Sequence, residues 1–304
     1  MPDITAAMVK QLRDRTGAAM MLCKEALVES TGDFDEAVVY IRKKLGAKLS
    51  DRGDRVASEG VIAVYVVDGK DAAIIELNSE TDFVARADDF KMLAKELAEH
   101  VARTKGHSVE TVLTEKSLAD GNMTVQERVD DVFTRLRERL VFRRFELIST
   151  DEKGVLATYV HIPANDRIGV LVELEAPTEA ASSSEEAKQI GKEIALQITA
   201  SSPKYVSREE VPAEVVSREM EIARETAKSE GKPEAAIEKI AEGRLRGFYE
   251  ESVLLDQPYN RDPKKTVGKL LDESGFNVRR FVRYEVGQGV TGAETSGDIK
   301  GAAE

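Results

Sequence analysis

The apolar positions change period along the chain, and each change marks an element. Within residues 4–45 they recur at helical spacing: Met8, Val9 and Leu12, then Met21, Leu22, Cys23 and Ala26, then Phe34, Ala37, Val38 and Ile41. This predicts three short helices. The first is capped by Thr5 and ends near Thr16-Gly17, the second runs from about residue 19 to 30, and the third restarts after Gly32-Asp33 and is capped by Gly46. Residues 1–46 thus form a helical module, and the polar, aperiodic stretch 47–58 reads as a linker.

Beyond residue 58 the runs become strand-like and repeat. Gly60-Val61-Ile62-Ala63-Val64-Tyr65-Val66 returns as Gly154-Val155-Leu156-Ala157-Thr158-Tyr159-Val160, an offset of 94. A second apolar strand follows each, at 72–77 and 168–174, and then a helix whose Leu93, Leu97 and Val101 match Ile190, Ile194 and Ile198 at an offset of 97. The second hairpin turn is therefore three residues longer. A hairpin feeding a helix is an α+β unit and not a βαβ crossover. Thr124-Val125-Gln126-Glu127 opens a further helix as a capping box, and strands at 142–148 and 276–286 complete the two copies. The expected core is two subdomains, 59–150 and 151–286, each a small three-stranded sheet backed by helices.

The second copy carries an insertion. After a capping box at Ser207-Arg208-Glu209-Glu210, residues 213–254 read as two antiparallel helices turned by Gly231-Lys232-Pro233. Val216, Met220, Ala223 and Ala227 face Ile237, Ile240 or Ala241, Leu245 and Phe248. This Ala-rich seam fits a protruding coiled-coil hairpin, or an arm folded on its own body. A C-terminal helical module is expected over 262–274, starting at Asp262-Pro263 and ending at Gly275, and 287–304 reads as a flexible tail.

The repeat supplies an internal comparison. Thr81-Asp82-Phe83-Val84 in the first copy corresponds to Thr178-Glu179-Ala180-Ala181 in the second. Phe83 is thus not a requirement of the unit. It either fills a pocket particular to the first copy or projects outward as an anchor. The adjacent Met20 and Met21 cannot share one helix face, so one is core and the other incidental, or the pair is a soft apolar contact for a partner.

Composition narrows the chemistry. Forty-four Lys+Arg against 56 Asp+Glu give a net charge of -12 over 304 residues, which opposes bulk electrostatic binding of nucleic acid. One Cys and three His leave no disulfide within the chain and little room for a zinc site. Asp88-Asp89 reads as a helix cap, and His161, past a strand end, as a surface or contact residue in preference to a general base. No phosphate-cradling motif or catalytic constellation is present, and no cofactor is expected. Neither a signal peptide nor a membrane span is recognisable, so the expected location is cytoplasmic.

Several motifs in order resemble the bacterial elongation factor Ts family. They are Leu12-Arg13 with Arg15-Thr16-Gly17-Ala18, Met20-Met21, Cys23-Lys24 and Ala26-Leu27, then the Gly32-Asp33 restart and Thr81-Asp82-Phe83-Val84. Arg167-Ile168-Gly169-Val170-Leu171-Val172, Gly231-Lys232-Pro233 and Lys265-Thr266-Val267-Gly268-Lys269-Leu270-Leu271 continue the match to about residue 290. The resemblance implies a ubiquitin-associated-like N-terminal module and a nucleotide exchange factor for the GTPase elongation factor Tu, with no bond chemistry of its own. It places Thr81, Asp82, Phe83 and Val84 against the GTPase domain near its Mg²⁺ and phosphate region, with Met20 and Met21 on the same domain. The loop carrying His161, Arg167 and Gly169 is implied to face another domain of the partner. The competing class is a binding adaptor without exchange activity. The hairpin leaves open whether the protein pairs with a second copy, builds a higher complex with its partner, or does neither.

Overall fold

A computed structural model describes residues 4–50 and 57–289. Helices α1 (Ala6–Thr16), α2 (Met20–Glu29) and α3 (Phe34–Ser50) pack around Leu12, Cys23, Ala26, Leu27, Ala37 and Ile41. Thr5 caps α1 by accepting from the Met8 N–H, and Gly17 ends it at φ 66°, the left-handed region where a side chain is disfavoured. Gly46 does not cap α3. The helix runs through it to Ser50, because an interior glycine costs only about 1 kcal/mol and is followed by the good helix formers Ala47, Lys48 and Leu49. The expected linker therefore starts inside this helix, and its residues 51–56 lie outside the described residues, as do 290–304 of the expected tail.

The first subdomain pairs β1 (Glu59–Val67), β2 (Asp71–Ser79) and β3 (Val141–Ser149) as an antiparallel sheet in that order. Between β2 and β3 lie α4 (Asp82–Arg86), α5 (Asp88–Thr104), α6 (Val109–Thr114) and α7 (Val125–Leu136). The capping box at Thr124 and Glu127 forms as read. Asp88 and Asp89 sit inside the first turn of α5 and make no cap there, where their charges still favour the helix N-terminus. One face of the sheet packs Val61, Ala63, Ile75 and Leu77 against Phe90, Leu93, Leu97 and Val101 of α5.

The second subdomain repeats the plan with β4 (Gly154–Val160), β5 (Ile168–Glu175), α8 (Glu179–Ser182) and α9 (Glu185–Ser201). Helices α10 (Ala213–Ser229) and α11 (Glu234–Ser252) then form a hairpin with Ala223, Ala227, Ile237 and Ala241 buried in its seam. Ion pairs Arg224–Glu238 (2.6 Å) and Arg244–Glu230 (2.7 Å) link the two helices. Ser207 makes no capping box. Glu210 reaches instead to the Val206 N–H at 2.7 Å, which closes a single 3₁₀ turn.

A short strand pair, β6 (Pro258–Tyr259) and β7 (Asp262–Thr266), occupies the place where a helix was expected to start at Asp262-Pro263. The reason is tertiary. Buried Gln197 on α9 accepts from the Asn260 N–H and donates to the Pro258 carbonyl, while Tyr259 inserts into the core and donates to Glu193. Helix α12 (Val267–Ser274) starts only at its cap Thr266, and β8 (Asn277–Glu285) completes the sheet order β4-β5-β8.

The two sheets stack through the faces that their helices leave open. Ile62, Ile74 and Ile148 of one meet Leu171, Tyr284 and Val286 at the other, so the core is layered helix, sheet, sheet, helix. Each copy buries one glutamate on this inner side, Glu76 on β2 and Glu173 on β5. At both, a β-bulge skips one arginine of the neighbouring strand, Arg143 on β3 and Arg279 on β8. The bulge turns two consecutive arginines toward one carboxylate, where a regular strand would send them to opposite faces. Glu76 accepts from Arg143 (3.1 Å), Arg144 (2.7 Å), Asn78 (3.1 Å) and the Gly287 N–H (2.9 Å). Glu173 accepts from Arg279 (3.2 Å), Arg280 (2.8 Å) and the Thr150 hydroxyl (2.5 Å). Arg144 also donates to the Glu285 carbonyl and Arg280 to the Ser149 carbonyl, so each cluster grips the last residue of the other subdomain's final strand.

Burial opposes ionisation of Glu173, but Thr150, Arg280 and Arg279 more than offset it and hold its carboxyl below the usual range. The stability it contributes is complete above the unfolded carboxyl pKa of about 4.3 and is lost as pH falls through the lower folded value. Melting curves between about pH 6 and pH 3 should therefore fall more steeply for the parent than for Glu173→Gln. Parallel curves would contradict this account of the cluster.

Candidate partner-binding site

Helix α4 has five residues, too few to hold its own shape. Its order comes from its surroundings. Thr81 stands before it in extended conformation and accepts from the Val84 N–H at 3.4 Å. The Glu138 carboxylate takes both remaining Thr81 donors, the backbone N–H at 2.9 Å and the hydroxyl at 2.7 Å. Ser79 donates to the Thr81 carbonyl, and Glu80 accepts from the Arg139 N–H. From below, Val84 and Ala85 are buried in the first core.

With that face fixed, Phe83 can only point outward, and it is 83% exposed. Asp82 beside it pairs with Arg86 at 2.9 Å on the surface. A large aromatic held in water on a fixed element contributes nothing to the core, so the pocket-filling alternative for Phe83 is excluded. In the second copy Thr178 caps α8 in the same way, accepting from the Ala181 N–H at 3.2 Å, but Ala180 occupies the aromatic's place.

The N-terminal corner meets the same region. Gly17 packs against Arg135 of α7, and Arg137 donates to the Gly17 carbonyl at 3.4 Å. Arg137 and Glu138 are adjacent, so the corner and α4 are anchored to neighbouring residues of one segment. Met20 and Met21 are 53% and 73% exposed. Neither is core, because α2 buries Cys23, Ala26 and Leu27 instead. The corner is therefore an apolar surface at both positions.

The loop after β4 is tied down by the first subdomain. Asn165 and Asp166 both take left-handed backbone conformations, and Asp166 accepts from the Ile62 N–H and pairs with Lys91 at 2.6 Å. Arg167 pairs with Glu59, and its carbonyl accepts from the Val286 N–H. A cleft lined by Glu59, Asp82, Ala85, Arg86, Asn165 and Arg167 thus joins this loop to α4. His161 does not line it. Its Nδ1 lies 3.0 Å from the Tyr159 hydroxyl, and it is followed by the exposed Ile162.

Two candidate residues face inward. Val84 belongs to the core, and Gly169 is buried where an added Cβ would stand 2.4 Å from Ile62. Both shape the surface without forming it. The residues that brace it, Glu138 and Arg137, have no spacing signal in the sequence, because they meet Thr81 and Gly17 only through the fold.

Among the described residues no group of His, Cys, Asp and Glu converges to hold a metal, and no helix is long and apolar enough to cross a membrane. Cys23 is buried, and burial pushes its thiol up, away from the reactive thiolate. The exposed side chains of Phe83, Met20 and Met21 make this surface apolar at those three positions.

Comparison with known proteins identifies the family. A family model described as Elongation factor TS matches residues 80–288. The chain is 45% identical to elongation factor Ts of Thermobifida fusca over 291 residues, 95% of this chain and all of that protein. It is 44% identical to elongation factor Ts of Mycolicibacterium smegmatis over the same extent. The chain belongs to the elongation factor Ts family of protein biosynthesis, nucleotide exchange factors that make and break no bonds themselves.

Proposed function

We propose that this protein promotes GDP release from elongation factor Tu during translation elongation by stabilising the partner's nucleotide-free form. The observation that carries the reading is Phe83, exposed on a braced helix in one copy of the repeat and replaced by Ala180 in the other. GDP leaves such a GTPase slowly because Mg²⁺ and the phosphate-binding backbone hold the diphosphate electrostatically. A ligand that prefers the empty form must weaken nucleotide binding by the same factor.

Phe83 acts as the wedge, entering between helices of the GTPase domain. Asp82 is carried with it toward the Mg²⁺ and phosphate region, and the Met20-Met21 corner gives the same domain a second apolar contact. Arg167 and the His161 loop meet another part of the partner. The helical hairpin serves as a coiled-coil arm. GTP then rebinds and displaces the factor.

Stopped-flow release of fluorescently labelled GDP from purified elongation factor Tu tests this. Release should accelerate with factor concentration toward saturation. Binding without faster release would overturn the exchange reading and favour an adaptor.

A further inference from the structure

We infer that Glu138 is a positioning residue for exchange, which acts by holding α4 so that Phe83 projects in one direction. The inference rests on the reading of Phe83 given above. Three observations carry it. First, the Glu138 carboxylate uses both oxygens on one residue, taking the Thr81 N–H and hydroxyl at 2.9 and 2.7 Å. A two-point, charge-assisted clamp fixes orientation as well as distance. It sits directly before Asp82 and Phe83, at the end of a helix too short to orient itself.

Second, Glu138 is itself held. It follows Arg137, a non-glycine residue at φ 62° that ends α7, and it precedes Arg139, whose N–H donates to Glu80. The backbone on both sides of the carboxylate is thereby set.

Third, the second copy is a control. Thr178 caps α8 as Thr81 caps α4, yet among the described residues no carboxylate takes the Thr178 N–H or hydroxyl. There α12 ends at Ser274 and β8 begins at Asn277, whereas α7 ends at Leu136 and β3 begins at Val141. The longer connection that supplies Glu138 occurs in the copy that carries the aromatic. A brace needed only to fold the unit would be wanted in both copies. A brace needed to aim Phe83 is wanted in one.

The test is a double-mutant cycle in the full-length protein, read as the second-order rate constant for labelled GDP release from elongation factor Tu, with Tm measured in parallel. Glu138→Ala should slow release about tenfold, the effect of losing one or two charge-assisted hydrogen bonds. Glu138→Gln should recover most of that, because its amide can accept from the Thr81 N–H and donate to the Thr81 hydroxyl oxygen. In a Phe83→Ala background, Glu138→Ala should change the rate by less than about twofold, since the group that it aims is gone.

Should Glu138→Ala fold poorly, Glu138→Asp keeps the charge but withdraws its reach, and it should slow release only while Phe83 is present. Parent-like release by Glu138→Ala, or losses that multiply fully with Phe83→Ala, would overturn the positioning role. If Phe83→Ala is slow while Glu138→Ala is not, the brace alone fails. If Phe83→Ala itself releases GDP at the parent rate, the underlying reading of Phe83 fails.

Discussion

Replacing Phe83 with alanine is expected to leave the fold intact and to slow stimulated GDP release roughly 30-fold or more, the scale of a lost aromatic anchor. The ring is 83% exposed, so its removal takes nothing from the core, and Tm should move by no more than about 1 °C. In the complex the same ring would be buried, and its transfer out of water supplies about 1.5–3 kcal/mol before any specific contact is added. Phe83→Leu keeps much of that apolar volume and should retain an intermediate rate. Ala180→Phe should not restore activity to Phe83→Ala, because α8 lacks the brace that fixes α4. Release within twofold of the parent for Phe83→Ala would end the wedge assignment, and a large fall in Tm would show that the ring is structural after all.

The largest expected loss of stability comes from Glu76→Ala. Glu76 is fully buried and gathers two guanidinium groups, the Asn78 amide and the Gly287 N–H. Removing one partner of a buried charge cluster leaves the others desolvated without their acceptor, which costs about 3–5 kcal/mol. For a protein of this size that corresponds to a fall in Tm of roughly 10 °C. The cluster also ties the end of β8 to the first subdomain, so protection of the amides of Val286 and Gly287 in hydrogen exchange should fall with it. Glu76→Gln keeps an acceptor and should lose less. A shift in Tm below about 2 °C for Glu76→Ala would show that the arginines find other partners and that the cluster does not lock the sheets.

The repeat is legible in the sequence because both copies bury the same strand faces, and alternation of that kind survives in the residues themselves. Thr5, Gly17 and the Thr124–Glu127 box are legible for a similar reason, since a cap is a contact between residues three or four apart. Asp262-Pro263 misleads because its local preference for a helix start is overridden by Gln197 and Glu193, about 65 residues earlier. Gly46 misleads in the opposite sense, as a breaker too weak to stop a helix with good formers on its far side.

The buried glutamates had a signal of their own. Glu76 and Glu173 stand at matching places in otherwise apolar strands, and Arg143-Arg144 and Arg279-Arg280 stand in the matching final strands. Laying the two copies together brings that pattern out. Phe83 emerges from the same comparison by its absence in the second copy. Glu138 does not, because its partner Thr81 lies far away in sequence and the clamp has no periodic trace.

The most direct test of the central claim is equilibrium linkage. The affinity of this protein for elongation factor Tu is measured with and without saturating GDP and Mg²⁺, and the affinity of elongation factor Tu for GDP with and without saturating factor. The factor should bind the nucleotide-free form far more tightly, and should weaken GDP binding by that same ratio, with each tenfold equal to about 1.4 kcal/mol. Equal affinity for the two forms, with GDP binding unchanged by the factor, would contradict it.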